Sequence, residues 1–440
     1  MFNYYFLLGV RSLRRNPALT LLMVLTLAVG VAASVSTLTI LQVMSGNPIP
    51  HKSDKLLVPS LDNGSLKEYT PGAKTEDNQM TYKDAINLLA STQASIRRTA
   101  VYGTAGGIEP ERPDLPVVSV SGLAVTGDYF AMFEVPFLYG APWTAKEDAS
   151  GPGIIVLSRT QSEKMYGKTN PVGKHLRLQG HDFQIVGVID TWNPVPRYTH
   201  LINGNGGSFN GEDDFFMPFS SSVRLEFPQS GSVTCRGSNE TPGYQGFLNS
   251  ECTWVQFWFE TKSAADRPML QNYLNSYASE QRKLGRFPRN AENKLYNVME
   301  WMEYLNIVRS DSKLSVWLSF GFLLLCLVNT IGLLLAKFSV RASEVGVRRA
   351  LGATRAEIFK QFLIETTVVG LAGGLLGLPL SFVGTRIIAD QSASLSVVPG
   401  MDWMMLGITF LLSIAASVLA GLLPTWRACQ VTPALQLKSQ

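Results

Sequence analysis

Four uncharged apolar blocks dominate the pattern of hydrophobic and polar positions along the chain. No Asp, Glu, Lys or Arg lies between Arg15 and Lys52, and the same holds for residues 314–336, 366–385 and 403–426. Each block has about the 20 residues that a helix needs to cross a hydrocarbon core roughly 30 Å thick. The first block is longer than the apolar region of a signal peptide and has no clear cleavage site, so we interpret it as a retained span. The pattern predicts an α-helical membrane protein with four transmembrane helices.

The long segment between the first two blocks has the composition of a globular domain. Alternating apolar and polar positions predict strands at 55–59, near 100, and at 117–125, 154–158, 175–178, 183–189, 253–261 and 295–298. Helical spacing predicts helices at 81–89 and 270–277. We expect a large α+β domain whose α+β core is discontinuous in sequence and carries a mostly β insertion.

The distribution of basic residues predicts the orientation of the helices. The first 17 residues carry three Arg and no acid, and residues 337–360 carry six basic against two acidic residues. The loop between the third and fourth blocks has Arg386 as its one basic residue, beside Asp390 and Asp402. Because basic loops stay in the cytoplasm, both termini and the second loop are predicted to be cytoplasmic, and the large domain extracytoplasmic.

These observations divide the chain into nine segments. Phe2, Phe6 and Leu13, interspersed with arginines, predict a cytoplasmic interfacial amphipathic helix at 1–16. The four transmembrane helices are predicted at 17–45, 311–337, 354–386 and 403–426. The extracytoplasmic domain occupies 46–310, and the remaining segments are a cytoplasmic helical loop at 338–353, a short extracytoplasmic loop at 387–402 and a cytoplasmic tail at 427–440.

Composition narrows the class of function. Only 16% of residues are charged, below the roughly 25% of ordinary soluble proteins. The net charge of +4 is small for 440 residues and gives no reason to expect a nucleic-acid partner. We expect the lipid bilayer to be the principal surroundings of the four spans.

The cysteines divide between two redox environments. Cys235 and Cys252 lie in the predicted outer domain, where a disulfide would persist, whereas Cys326 lies in a span and Cys429 is cytoplasmic. Cys235 and Cys252 are therefore candidates for a disulfide, the alternative being two unrelated buried thiols.

Catalytic motifs are missing from the sequence. The run Gly167-Lys168-Thr169 resembles part of a phosphate-binding loop, but the required earlier Gly is replaced by Ser162. The four histidines have no metal-binding spacing, and no Gly-x-Ser-x-Gly motif occurs. We expect a non-catalytic chain that binds no cofactor or metal itself.

The second cytoplasmic loop carries signals for a short helix. Ser343 is predicted to cap it and Gly352 to end it in a left-handed conformation, while Thr354 and Glu357 form a capping box that starts the next helix. The predicted helix pairs Glu344 with Arg348 and aligns an apolar face of Val347, Ala350 and Leu351. Two interpretations remain open: a basic anchor, or a docking surface for a partner.

The third span combines small residues with one carboxylate. Two small-xxx-small pairs are predicted to let another helix approach closely, either within the subunit or in a dimer: Gly370 with Gly374, and Gly373 with Gly377. Glu365 enters the same span and requires a partner, for which Lys337 is the candidate.

Several motifs together resemble the permease domain of MacB/FtsX-type ABC transporters. In the membrane part they are Glu344-Val-Gly-Val-Arg-Arg-Ala-Leu-Gly-Ala353, Gln361-Phe-Leu-Ile-Glu365, Gly373-Gly-Leu-Leu-Gly377, Gly421-Leu-Leu-Pro-Thr-Trp-Arg427 and Thr432-Pro-Ala434. In the outer domain Gly127-Asp-Tyr-Phe130, Pro171-Val-Gly-Lys174 and Phe183-Gln-Ile-Val-Gly-Val188 are similar to the periplasmic core of that family. Arg14-Arg-Asn-Pro17 fits its opening.

The resemblance implies a bacterial inner-membrane protein with a porter-like outer domain and two permease subunits, either identical or paralogous. It also implies an ATPase that docks on the short helix through Glu344, Val345, Val347, Arg348, Arg349, Leu351 and Gly352. Because no ATPase domain precedes Arg11, we expect ATP and Mg²⁺ to bind a separate ATPase chain. A periplasmic adaptor protein is a further candidate partner.

Three hypotheses of function follow. The first is a permease that transmits ATP-driven motion to the outer domain for export or extraction of a substrate. The second is an FtsX-like signalling subunit that activates an extracytoplasmic partner such as a cell-wall enzyme. The third is a membrane-anchored extracytoplasmic enzyme. A companion ATPase would distinguish the first two from the third.

Overall fold

The computed structural model describes most of the chain as two compact units. The described residues are 11, 16–64, 66, 69–70, 78–91, 96–109, 116–202, 208–209, 211–235, 241–289, 291–308, 310–391 and 403–430. The first unit combines residues 1–45 with 308–440, and the second is residues 46–307. Most of the predicted interfacial helix at 1–16, most of the loop at 387–402, and the motif at Thr432 lie outside the described residues.

Among the described residues, the first unit contains four long helices and one short helix. The long helices are α1 (Pro17–Ser45), α10 (Ser310–Val340), α12 (Arg355–Gln391) and α13 (Trp403–Cys429), and the short one is α11 (Ala342–Ala350). All four long helices are long and apolar enough to cross a membrane, within Pro17–Ser45, Lys313–Val340, Arg355–Ile387 and Leu406–Cys429. The second and fourth helices run three residues beyond their predicted ends at 337 and 426, so part of each predicted cytoplasmic segment is the last turn of a helix.

The second unit contains eleven strands and eight α-helices among the described residues. The strands are β1 (Leu56–Ser60), β2 (Met80–Thr81), β3 (Arg97–Glu109), β4 (Val118–Val125), β5 (Phe137–Gly140), β6 (Ile154–Leu157), β7 (His175–Leu178), β8 (His181–Ile189), β9 (Phe215–Pro218), β10 (Thr253–Glu260) and β11 (Lys294–Asn297). The helices are α2 (Tyr82–Leu89), α3 (Asp128–Met132), α4 (Ala145–Ser150), α5 (Arg159–Tyr166), α6 (Phe219–Arg224), α7 (Gly243–Leu248), α8 (Arg267–Lys283) and α9 (Val298–Tyr304).

The strands of the second unit form one hydrogen-bonded sheet. Its main order is β11-β1-β10-β3-β4-β9-β6-β8-β5, with β2 on β10 and β7 on β3 and β8. The sequence predicts an insertion without specifying how its strands join the core. The structure connects them through a parallel pair of β4 with β9 and an antiparallel pair of β3 with β7. The core and the insertion therefore share one sheet.

One edge of this sheet is formed by β11. Strand β1 is antiparallel to both β10 and β11, so β10, α8 and β11 form a β-α-β unit with β1 between its strands. On the outer side of β11, Arg267 donates a hydrogen bond to the carbonyl oxygen of Leu295 (2.6 Å), and Gln271 donates one to the carbonyl oxygen of Asn293 (2.8 Å). Side chains of α8 therefore satisfy backbone carbonyl groups at this edge by hydrogen bonding.

A disulfide and a cluster of ion pairs lie beside α2. Cys235 and Cys252 form a disulfide with an S–S distance of 2.07 Å. Next to Cys252, the Glu251 carboxylate accepts hydrogen bonds from Arg286 at 2.9 and 3.0 Å. The same guanidinium reaches both carboxylate oxygens of Asp84 at 2.8 Å, and the Asp84 side chain is buried. Arg286, in the segment that follows α8, thus ties α2 and the disulfide segment together through Asp84 and Glu251.

His200 is a fully buried histidine of the second unit, close to the buried ion pair of Arg197 with Asp213. The pKa of His200 is lowered from 6.5 to about 4, mainly by burial. The negative charge of Asp213 raises this pKa, and the positive charge of Arg197 lowers it further. The folded unit therefore holds this imidazole neutral at pH values where the unfolded chain becomes protonated.

We predict a pH-dependent stability from this histidine. Below pH 6.5 the His200 imidazole binds a proton in the unfolded chain, whereas in the folded state it stays neutral down to about pH 4. The free energy of unfolding therefore falls as the pH falls from 6.5 to about 4. In urea unfolding of residues 46–307, the His200 contribution should amount to about 2 kcal/mol between pH 7 and pH 5. The loss in His200→Gln should be smaller by that amount; equal losses in both proteins would contradict the prediction.

Candidate functional site

Helix α11 is held between two long helices by defined ends. It begins directly after Arg341, which makes no side-chain cap, so Ser343 lies inside the first turn and the predicted Ser343 cap is wrong. At the other end, the amide of Gly352 donates to Arg349 O (3.2 Å) and that of Ala353 donates to Arg348 O (3.0 Å). This is a Schellman ending, and Gly352 has the left-handed φ of 99° that the sequence predicts.

The next helix starts within three residues of this ending. Thr354 Oγ1 accepts from the amide of Glu357 (3.3 Å), and the Glu357 carboxylate accepts from the amide of Thr354 (2.9 Å). The predicted capping box is therefore confirmed. Because the end of α11 and the start of α12 are both capped, the connection between these two helices has little freedom to change length.

The inner face of α11 is apolar and buried. Val345 belongs to one hydrophobic cluster with Phe338 of α10, Ile358 and Phe362 of α12, and Cys429 of α13. The rings of Phe338 and Phe362 lie 4.3 Å apart between centroids. Val345, predicted as a docking residue, thus packs against the long helices and fixes the position of α11 on them.

The polar side chains of α11 also face its neighbours. Arg348 pairs with Glu344 at 2.5 Å and donates to Gln361 of α12 at 3.0 Å. Arg349 donates to the carbonyl oxygen of Cys429 at the end of α13, at 3.5 Å. These predicted site residues therefore connect α11 to two long helices.

The outer face of α11 is an exposed apolar stripe. Val347, Ala350 and Leu351 are all exposed, and Leu351 is 83% exposed although it is a large apolar residue. We call these three residues the α11 stripe. Large apolar side chains exposed together on a well-anchored helix are typical of a protein-interaction surface.

A buried ion cluster lies at the junction of α10 and α12. Glu365 Oε1 is 2.8 Å from Lys337 Nζ, and Glu365 Oε2 is 3.0 Å from Arg341 Nη1. The Lys337 side chain is 0% exposed and that of Glu365 is 3% exposed. The structure thus pairs Glu365 with the predicted Lys337 and adds Arg341, which sequence reasoning missed. Arg341 lies four residues after Lys337, and this spacing was the available signal.

The glycine pairs of α12 pack against two different helices of the same chain. A Cβ at Gly370 would lie 2.0 Å from Ser417 Oγ of α13, and one at Gly374 would lie 3.1 Å from Ser413 Cβ. On the other face, Gly373 and Gly377 lie against α1. The hydroxyl of Ser413 donates to the carbonyl oxygen of Gly370 (2.5 Å). Both pairs therefore serve packing within the chain.

Metal-binding side chains do not cluster in the part of the chain that the structure describes. No group of three or more His, Cys, Asp or Glu residues there could hold a metal ion.

Comparisons with known proteins divide the chain into two family domains. Residues 20–277 match the MacB-like periplasmic core domain, and residues 316–433 match the FtsX-like permease C-terminal domain. The periplasmic region of MacB from Actinobacillus actinomycetemcomitans aligns at 12% identity with a TM-score of 0.36, covering 60% of this chain and 97% of that structure.

Two curated relatives match the chain over similar lengths and at similar sequence identity. The pyoverdine export ATP-binding/permease protein PvdT of Pseudomonas entomophila is 24% identical over 316 residues, which are 70% of this chain and 41% of the relative. The macrolide export ATP-binding/permease protein MacB of Bdellovibrio bacteriovorus is 23% identical over 300 residues, 67% of this chain and 40% of the relative. The matched part is thus less than half the length of either relative.

Proposed function

Because this chain belongs to the permease family with a MacB-like periplasmic core domain and an FtsX-like C-terminal domain, we propose that it is the mechanotransmission subunit of an ABC transporter. In this proposal a separate ATPase chain binds ATP and Mg²⁺, docks on the α11 stripe and moves the outer domain to export or extract a substrate. Both termini then face the cytoplasm of a bacterial cell. The names of the relatives, which specify pyoverdine export and macrolide export, support an outward direction.

The exposed α11 stripe is the observation that carries this proposal. An apolar helix face is suited to the groove of a partner, because burying it removes apolar surface from water. The inner face of the same helix is packed on α10, α12 and α13 through Val345 and its cluster. A displacement of the stripe would therefore be passed directly to three spans.

We predict that Leu351→Asp weakens the association with the ATPase. The substitution introduces a charge that must be desolvated in an apolar contact, so affinity should fall at least tenfold, or about 1.4 kcal/mol. The measurement is co-purification of an ABC ATPase from native membranes, together with the ATPase activity of the purified complex. Unchanged binding and activity would eliminate the α11 stripe as the docking element and leave the loop as a basic anchor.

Ala356→Asp provides the matched control. Ala356 is exposed and lies in the first turn of α12, where a negative charge is compatible with the helix dipole. The control adds the same charge a few residues away from the stripe, so it should retain the ATPase. Membrane insertion is checked in both variants. Whether ATP turnover releases a substrate then separates transport from FtsX-like signalling.

A further inference from the structure

A groove of about 460 Å³ lies at the β11 edge of the outer-domain sheet. Side chains of α8, of α9 and of β11 with the residues just before it line this groove, and all of them belong to the second unit. Small-molecule sites in proteins have volumes of about 300–1,000 Å³. The β11 groove, as we call it, is therefore large enough for a small organic molecule.

One wall of the β11 groove is aromatic. Tyr296 and Tyr304 both line it, and their rings are stacked with centroids 4.7 Å apart. Trp301, which is buried, stacks on Tyr304 with centroids 5.7 Å apart and an angle of 12° between the planes. Stacking on a buried indole holds these rings in place. Such rings offer apolar surface to a ligand and attract cations to their faces.

The charges of the β11 groove favour a cation. Three acidic and two basic side chains line it, so its net charge is −1. Arg267 is already neutralised by Glu300, to which it donates hydrogen bonds at 3.0 and 2.7 Å. Glu292 and Glu303 are both exposed and form no ion pair with a described residue. These two carboxylates outweigh the single charge of Lys294, so a positive ligand is attracted and a negative one is repelled.

The backbone of β11 argues against an added peptide strand as the ligand. Strand addition uses the free amide and carbonyl groups of a sheet edge. The carbonyl oxygens of Leu295 and Asn293 are already occupied by hydrogen bonds from Arg267 (2.6 Å) and Gln271 (2.8 Å). Recognition in the β11 groove therefore depends on side chains, as it does for a small molecule.

We propose that the β11 groove binds a small organic cation, with its ammonium group beside Glu292 and Glu303 and its aromatic or apolar body against Tyr296 and Tyr304. Charge attraction selects the cation over neutral and anionic molecules of the same shape, and the rings bind its body. The proposal concerns ligand binding by the outer domain and does not depend on ATPase docking. Failure of either proposal therefore leaves the other standing.

Three probe molecules of the same shape and different charge test the proposal. They are phenethylamine, which is cationic at pH 7, neutral 2-phenylethanol and anionic phenylacetate. Binding to the full-length chain in phosphatidylcholine nanodiscs is titrated by saturation-transfer NMR, with empty nanodiscs as the blank. We expect saturable millimolar binding of phenethylamine, about fivefold or more tighter than that of the alcohol. Equal affinities, tighter binding of phenylacetate, or no saturable binding of the amine would overturn the proposal.

Charge variants locate the binding in the groove. Glu303→Gln and Glu292→Gln should each weaken phenethylamine binding about two- to fivefold, and the double variant should lose the preference for the amine over the alcohol. Glu280→Gln is the control, because it makes the same change at an exposed position of α8 that does not line the groove. It should bind like the wild type. An effect of Glu280→Gln equal to that of Glu303→Gln, or none in the double variant, would refute the site.

Two substitutions of Tyr304 test the aromatic wall. Tyr304→Phe keeps a ring at this position and should retain phenethylamine binding, whereas Tyr304→Leu removes it and should weaken binding about two- to fivefold. Thermal unfolding of both variants is compared with that of the wild type. Equal affinities in the two variants would refute the ring contact, and the exposed carboxylate variants would still decide whether the β11 groove binds the cation.

Discussion

Replacing Glu365 by Gln should destabilise the membrane unit by about 3–5 kcal/mol, the range found when one partner of a buried ion pair is removed. The amide keeps the size of the side chain but removes the carboxylate that faces the buried Lys337 and the largely buried Arg341. The free energy of unfolding of the purified full-length protein, measured by SDS titration in mixed micelles, provides the test. We also expect weaker anchoring of the first turn of α11, because Arg341 immediately precedes that helix.

Glu357→Gln is the control for this experiment. It makes the same chemical change on the same helix, but at an exposed capping box in which Gln can replace Glu. Its effect should remain below about 1 kcal/mol. Adding Lys337→Met to Glu365→Gln should restore part of the stability, because the buried cation that faced the lost carboxylate is then removed. If Glu365→Gln behaves like Glu357→Gln, the buried ion cluster does not stabilise the fold.

Arg286→Met should have an effect of similar size in the outer domain, about 3–5 kcal/mol. The substitution retains much of the apolar volume but leaves the buried Asp84 carboxylate and the half-buried Glu251 without their shared guanidinium. Urea unfolding of residues 46–307 under oxidising conditions measures the loss. This prediction requires the wild-type fragment to unfold cooperatively, as expected for a compact unit with its own core.

The comparison for Arg286 is Lys283→Ala, which removes an exposed cation at the end of α8, shortly before Arg286 in the chain. We expect that variant to lie within about 0.5 kcal/mol of the wild type. A loss in Arg286→Met no larger than that of Lys283→Ala would show that the carboxylates find water or other partners. The wild-type fragment and both variants should retain the Cys235–Cys252 disulfide, which mass spectrometry of the unreduced proteins can establish.

The sequence is most informative where a physical requirement acts locally. The four spans follow from the absence of charge over about 20 residues, and the caps at Gly352 and Thr354 follow from residues three or four positions apart. The pairing of Lys337 with Glu365 is predictable because a carboxylate in a span requires a cation. The role of Arg341 also depends on the turn between α10 and α11, which no local pattern specified.

Long-range pairing was not predictable in the same way. The sequence analysis predicts a strand at 117–125 but none at Phe215–Pro218, and the parallel pairing of these two segments joins residues far apart in sequence. Likewise, the glycine spacing of α12 indicates close approach without specifying the partner helix. That choice depends on Ser413 and Ser417 of α13 and on Leu27 and Ala28 of α1, whose placement is a property of the whole bundle.

The side chains beside β11 affect how the outer domain behaves before assembly. An uncovered edge strand offers free carbonyl and amide groups to which another chain can add a strand, and this is a common route to aggregation. Here Arg267 and Gln271 of α8 already occupy two of the outward carbonyl groups. A newly translocated copy is surrounded by other unassembled copies. Because these two carbonyl groups are already hydrogen-bonded, a neighbouring copy is less able to add a strand to this edge.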